Sequence, residues 1–160
     1  MTTKSMPREP AYRFGDLLAL ARRDWVAQLA AGLAAAAYPD YRRSDAAVVR
    51  LLDRGARPVG KLGDALGVTR QAARKIVTGL QRRGFAEARR GRDDARQLDV
   101  ELTAEGRAYA RVLTTVIDDL NRSLAERVTA DQLAAADVVL RAVLTERSAR
   151  ALADRLPHPS

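Results

Sequence analysis

The sequence contains no cysteine, and its single histidine, His158, lies near the C-terminal end. Disulfides, thiol redox sensing, thiolate metal sites and cysteine nucleophiles are thereby excluded. Aromatic residues are also scarce: one Trp, four Tyr and two Phe in 160 residues. Ala and Leu must therefore fill most of the core, which favours close-packed helices over sheets. No apolar run is long enough to cross a bilayer. The N-terminus lacks the apolar stretch of a signal peptide, so a cytoplasmic protein without a membrane partner is expected. No glycine-rich phosphate cradle and no paired acids at catalytic spacing occur. The expectation is a protein that is not an enzyme and holds neither metal nor cofactor.

What the chain has in excess is positive charge, +8 overall. Residues 103–160 hold as many acids as bases. Residues 67–98, by contrast, hold nine bases (Arg70, Arg74, Lys75, Arg82, Arg83, Arg89, Arg90, Arg92, Arg96) against three acids (Glu87, Asp93, Asp94). Such a concentration is the electrostatic footprint of a polyanion-binding surface, although charge alone also describes a solvated face.

Periodicity orders the chain. Residues 1–10 read as a loose arm. Residues 11–37 follow a helical pattern with Phe14, Leu17, Leu18, Ala21, Trp25 and Leu29 on one stripe. Tyr38-Pro39-Asp40 ends this helix, because a residue before proline avoids the helical region. Ser44 is the expected N-cap of a second helix carrying Ala47, Val48, Leu51 and Leu52, and Val59 offers one short strand pairing. A short helix over 61–66 breaks at Gly67, and Thr69 caps the next, which ends at Arg83-Gly84. Leu98, Val100 and Leu102 then alternate with polar residues, the rhythm of a half-buried strand; 85–90 is its weaker partner and 91–95 the turn. Thr103 caps a long helix with Tyr109, Val112, Leu113, Val116, Ile117, Leu120 and Leu124 on its apolar side. Thr129 and Gln132 form a capping box for the last helix, with Leu133, Ala136, Leu140, Val143 and Leu144.

The segment 61–83 has the lengths of a helix-turn-helix. At about 100° per residue, Ala73, Ile76, Val77 and Leu80 share the face that anchors the second helix. The opposite face presents Gln71, Lys75, Thr78 and Arg82, with Arg74 beside it and no acid anywhere from Arg70 to Arg83. A hairpin with a basic tip follows directly, as a wing does, and arginines at such a tip suit the negative potential of a minor groove.

The run from Gly67 to Phe85, Gly-Val-Thr-Arg-Gln-Ala-Ala-Arg-Lys-Ile-Val-Thr-Gly-Leu-Gln-Arg-Arg-Gly-Phe, resembles the recognition helix of the multiple-antibiotic-resistance regulator (MarR) family. Asp94-Ala-Arg96 followed by Leu102-Thr103 and Gly106 is similar to that family's wing signature, with Ala95 where many relatives carry a second Arg and Gly60 where a Ser or Thr cap is common. The resemblance implies a mainly α (α+β) winged helix-turn-helix lobe with a two-stranded wing, flanked by N- and C-terminal dimerisation helices. The expected division is an arm at 1–10, an N-terminal dimerisation helix at 11–40, the DNA-binding lobe at 41–102, C-terminal dimerisation helices at 103–152 and a tail at 153–160. The implied function is a homodimeric regulator of transcription, a repressor, that binds an inverted repeat of double-stranded DNA and responds to a small organic effector. A sequence-tolerant structural DNA binder is the alternative. Expected DNA-facing residues are Thr69, Arg70, Gln71, Arg74, Lys75, Thr78 and Arg82 on the helix, with Arg83 also holding the DNA backbone, and Arg90, Arg92, Asp94 and Arg96 on the wing. Trp25, Tyr38, Tyr41 and Tyr109 are the expected effector contacts.

Overall fold

The structure, a computed structural model, describes residues 13–90 and 98–153. Its order is α1 (Phe14–Ala35), α2 (Arg43–Leu52), β1 (Arg57–Pro58), α3 (Val59–Leu66), α4 (Arg70–Arg82), β2 (Ala86–Arg90), β3 (Leu98–Leu102), α5 (Ala104–Ala125), α6 (Ala130–Ala142) and α7 (Glu146–Ala153). None of these helices is long and apolar enough to cross a membrane.

Local chemistry sets most of the boundaries. Gly67 takes the left-handed conformation (φ 68°) that closes α3, and the Val68 N–H donates back to the Gly63 carbonyl at 3.0 Å. Thr69 Oγ1 accepts from the Ala72 N–H at 3.1 Å and so opens α4 two residues later. The turn between the two helices is thus fixed from both sides. Gly84, at φ 74°, ends α4 in the same way, with Phe85 N–H returning to the Leu80 carbonyl. Thr103 caps α5 through the Gly106 N–H, and Thr129 with Gln132 makes the expected capping box on α6. Gly106 has a second duty: a Cβ there would overlap the Phe85 carbonyl oxygen, so only glycine lets α5 start against the strand entry.

The core is one cluster. Leu29 and Leu33 of α1, Val48, Val49, Leu51 and Leu52 of α2, Leu62 of α3 and Val77 and Leu80 of α4 meet Val100 and Leu102 of β3 and Tyr109 and Leu113 of α5. Burying side chains of this size contributes roughly 1.5–3 kcal/mol each relative to exposure. The antiparallel sheet has the order β1-β3-β2, with Arg57 opposite Val100 and Ala88 opposite Val100 on the other side. Pro58 sits on the edge strand, where its missing N–H costs no ladder bond.

Four expectations need correction. The short extra strand falls at Arg57 and Pro58, just ahead of the expected Val59, and pairs with β3 beside the two-stranded wing. Ser44 does not cap α2: that helix starts at Arg43 after a non-capping Arg42, and the Ser44 hydroxyl donates to Asp45 at 3.3 Å. Leu98 anchors nothing, being 59% exposed at the outward end of its strand. A third helix, α7, follows the hairpin's two expected ones and lies beside α3.

The ends of the chain behave differently from the middle. Phe14, Leu17, Leu18 and Leu20 on the first half of α1 are exposed, and so are Leu133, Val138, Val139 and Leu140 on α6. By contrast, Val112, Val116, Ile117 and Leu120 of α5 pack against the chain's own core.

Candidate nucleic-acid interface

α4 is held by its inner face. Ala73, Val77 and Leu80 are buried and Ile76 is half-buried, at the 3–4 residue spacing of one helical stripe. That anchoring turns the other side outward. Arg70, Gln71, Arg74, Lys75 and Arg82 are exposed, Thr69 is exposed at the N-cap and Thr78 is half-buried. No acid lies on this helix, and none of Arg70, Arg74, Lys75 or Arg82 forms an ion pair with a described residue. A surface of unpaired cations has full charge available for an incoming polyanion. A groove of about 740 Å³ runs from this face to the sheet, lined by Lys61, Arg70, Arg74, Thr78, Gln81 and Leu98, with Asp64 the one acidic residue among its described walls. Thr69 spends a lone pair on its cap but keeps its hydroxyl proton to donate.

The wing strands are less freely cationic than the sequence suggests. Arg89 is tied to Glu87 at 2.9 Å and to Glu101 at 2.6 Å, and both acids raise its pKa. Arg90 is exposed at the end of β2, where the hairpin tip begins. Arg92, Asp94 and Arg96 lie outside the described residues.

Arg83 is engaged within the chain. Its Nε donates to the Gly79 carbonyl at 3.2 Å, its Nη1 to the Asp40 carbonyl at 3.1 Å and its Nη2 to the Asp45 carboxylate. The guanidinium also lies 5.2 Å from the centre of the Phe85 ring. Arg83 is therefore turned into the body of the protein, whereas its neighbour Arg82 is exposed. Sequence reading missed Asp45, a buried acid 38 residues away, because no spacing rule links the two positions.

The four expected effector contacts fall into two places. Trp25 and Tyr41 line a cleft of about 570 Å³ between α1, α2 and α5, together with Arg22, Arg43, Arg50 and Ile117. Tyr38 and Tyr109 line a smaller cavity of about 230 Å³ with Phe85, Arg83 and Asp40. Phe85 stacks on Tyr109 with ring centres 4.8 Å apart, and Tyr38 tilts against Tyr109 at 5.0 Å. The Tyr38 hydroxyl donates to Glu105 at 3.1 Å. The Tyr109 hydroxyl is buried and has no hydrogen-bond partner among the described residues. Burial, then the nearby Asp45 carboxylate, push its pKa up to about 12, with Arg83 pulling the other way.

No family model matches the sequence, and no curated protein is detectably similar to it in sequence. Solved structures match it well. FabT of Streptococcus pneumoniae, in a crystal structure with DNA, is similar over 82% of this chain and 92% of its own, with a TM-score of 0.72 at 16% identity. The reduced form of MarR from E. coli is similar over 85% of this chain and 99% of its own, with a TM-score of 0.65 at 22% identity. The chain has the fold of the MarR-type winged-helix proteins. The PcaV transcriptional regulator of Streptomyces coelicolor, solved with its natural ligand, is 26% identical, with a TM-score of 0.60 over 78% of this chain and 88% of its own. Within the MarR-type fold, α3 and α4 are the helix-turn-helix and β2 and β3 the wing.

Proposed function

We propose that the protein is a cytoplasmic, homodimeric transcription repressor that binds an inverted-repeat operator and is released by a small organic effector. The observation that carries the DNA-binding part is the exposed, acid-free cationic face of α4, unpaired among the described residues. In this reading one α4 enters the major groove of each half-site. Gln71 pairs with adenine, Arg74 and Lys75 contact bases or phosphates, and Thr69, Arg70, Thr78 and Arg82 hold register on the backbone. The wing, through Arg90, Arg92 and an Arg96 braced by Asp94, lies along the minor groove.

The exposed apolar surfaces of α1 and α6 support the dimer, since a monomer rarely leaves such side chains clustered in water. The cleft holding Trp25 and Tyr41 supports the effector. Its charged walls are arginines, so an organic anion fits it best. Fold likeness to a protein solved with DNA and to a transcriptional regulator solved with its natural ligand is consistent with both parts.

The test is a binding titration of the purified protein on DNA from upstream of its own gene against scrambled DNA at matched salt. The proposal expects a preference of at least about 10³-fold for the upstream DNA and a steep fall of affinity with salt. Equal affinity for both DNAs would make the protein a sequence-tolerant structural binder instead.

A further inference from the structure

At the C-terminal end of the recognition helix two adjacent arginines have opposite fates. Arg82 is exposed and without an ion pair to a described residue, whereas every nitrogen of the Arg83 guanidinium has a named acceptor. Those acceptors belong to three different parts of the chain: Gly79 on α4 itself, Asp40 in the turn between α1 and α2, and Asp45 in the first turn of α2. Asp45 is 2% exposed, and its second carboxylate oxygen accepts from Ser44. The guanidinium also lies over Phe85, the residue that leads into the wing and stacks on Tyr109 of α5. One side chain thus ties the end of α4 to α2, to the turn before it and, through Phe85, to the wing strand and α5.

We propose that Arg83, held by the buried carboxylate of Asp45, is a positioning residue that fixes how the recognition helix sits on the protein body, and that it makes no contact with DNA. The inference rests on the reading of α4 as the DNA-binding helix. Its physical basis is geometric. The inner face of α4 buries Ala73, Val77 and Leu80, an apolar contact that supplies no directional bond. A planar fork braced on its own helix by one bond, and reaching α2 and the segment before it by two, fixes the axial position and rotation of that end of the helix. Base reading needs that fixity, because hydrogen bonds to base edges fail when the helix shifts by a fraction of an ångström, whereas attraction to phosphates does not.

Asp45→Asn distinguishes the alternatives by sign. Asp45 is too buried to touch DNA. If Arg83 were a phosphate contact, removing its anionic partner would leave affinity unchanged or raise it. If Arg83 positions the helix, Asp45→Asn lowers affinity for the operator about tenfold, the worth of one good base contact. It then leaves affinity for scrambled DNA and the salt slope as they were. Arg83→Met gives the same loss, the double variant loses no more than either alone, and Arg83→Lys recovers only part, since an ammonium keeps the charge without the fork.

All titrations are run on the full chain at a temperature where thermal melts show each variant folded. The free protein is followed by amide hydrogen exchange, where Asp45→Asn speeds exchange at Gln81 through Phe85. Should the single variants fail to fold, the apolar pair Asp45→Leu with Arg83→Met leaves no unpaired buried charge and carries the same readouts. A salt slope reduced by about 0.9 for each Arg83 removed overturns the proposal in favour of a phosphate contact. A lower melting temperature with unchanged operator affinity and unchanged exchange overturns it in favour of a merely stabilising ion pair. If the unmodified protein shows no operator preference, the DNA reading fails by itself, and the exchange at Gln81 through Phe85 still decides whether Arg83 and Asp45 hold the helix.

Discussion

The winged lobe and the terminal helices solve the same problem, covering apolar surface, in opposite ways. In the lobe, Val48, Leu51, Leu62, Val77, Leu80 and Val100 are all buried within one chain, and the outward side of α4 is charged. On α6 no residue is buried at all, and Val138 stands 68% exposed. The apolar side of the lobe is covered, with α1 and α5 sharing its core; the apolar side chains of α6 are not. Residues 67–98 also hold nine bases against three acids, whereas residues 103–160 are balanced. The densest cationic charge and the uncovered apolar surface therefore lie in different parts of one small chain.

Substitutions sharpen that contrast. The largest effect is expected at Leu113, which is fully buried. Leu113→Ala costs roughly 2–5 kcal/mol, read by chemical denaturation at any protein concentration. Leu140→Glu on the exposed face of α6 leaves that denaturation midpoint nearly unchanged in dilute solution but removes association, because a charge in an apolar interface costs several kcal/mol. Light scattering at micromolar concentration checks it, and a protein that is monomeric before the change contradicts the proposed dimer. Tyr109→Phe is the smallest expected effect. It removes a buried hydroxyl that has no described partner, so it stabilises the chain by about 1 kcal/mol.

Tyr109→Phe also carries a pH signature. The Tyr109 pKa is raised by burial to about 12 in the folded chain, above the unfolded value near 10. The unfolded chain therefore loses this proton first. The associated stability is whole below about pH 10 and falls as pH climbs towards about 12. Tyr109→Phe should show a shallower loss between about pH 10 and about pH 12 than the unmodified protein. An identical loss would mean that Tyr109 is not the group responsible.

The sequence made legible whatever is written in short-range pattern. Gly67, Thr69, Gly84, Thr103 and the Thr129–Gln132 pair mark helix ends by local hydrogen bonding, and each does so in the structure. The outward face of α4 follows from helical period, and Arg70, Gln71, Arg74, Lys75 and Arg82 are exposed as that period requires. What stayed hidden depends on contacts between distant positions. Arg83 belongs to the same basic run as Arg82, and only the fold brings Asp40 and Asp45 to it. Arg89 likewise meets Glu101 across the strand pair. The apolar series of α5 looks like any exposed interface stripe, yet Val116, Ile117 and Leu120 pack on the chain's own core, while α6, with a weaker pattern, is left bare. The Trp25 and Tyr109 positions, both aromatic on helices, separate into two cavities for the same reason.

The central claim is that the outer face of α4 reads bases in two symmetric half-sites. Its most direct test compares the unmodified protein with Arg74→Ala and Lys75→Ala on a set of operators, each altered at one base pair. The account predicts that at least one of the two variants loses about 1–3 kcal/mol of affinity and becomes indifferent to one base pair, at the same position in both half-sites. Affinity, salt slope and base preference all unchanged in both variants would contradict it.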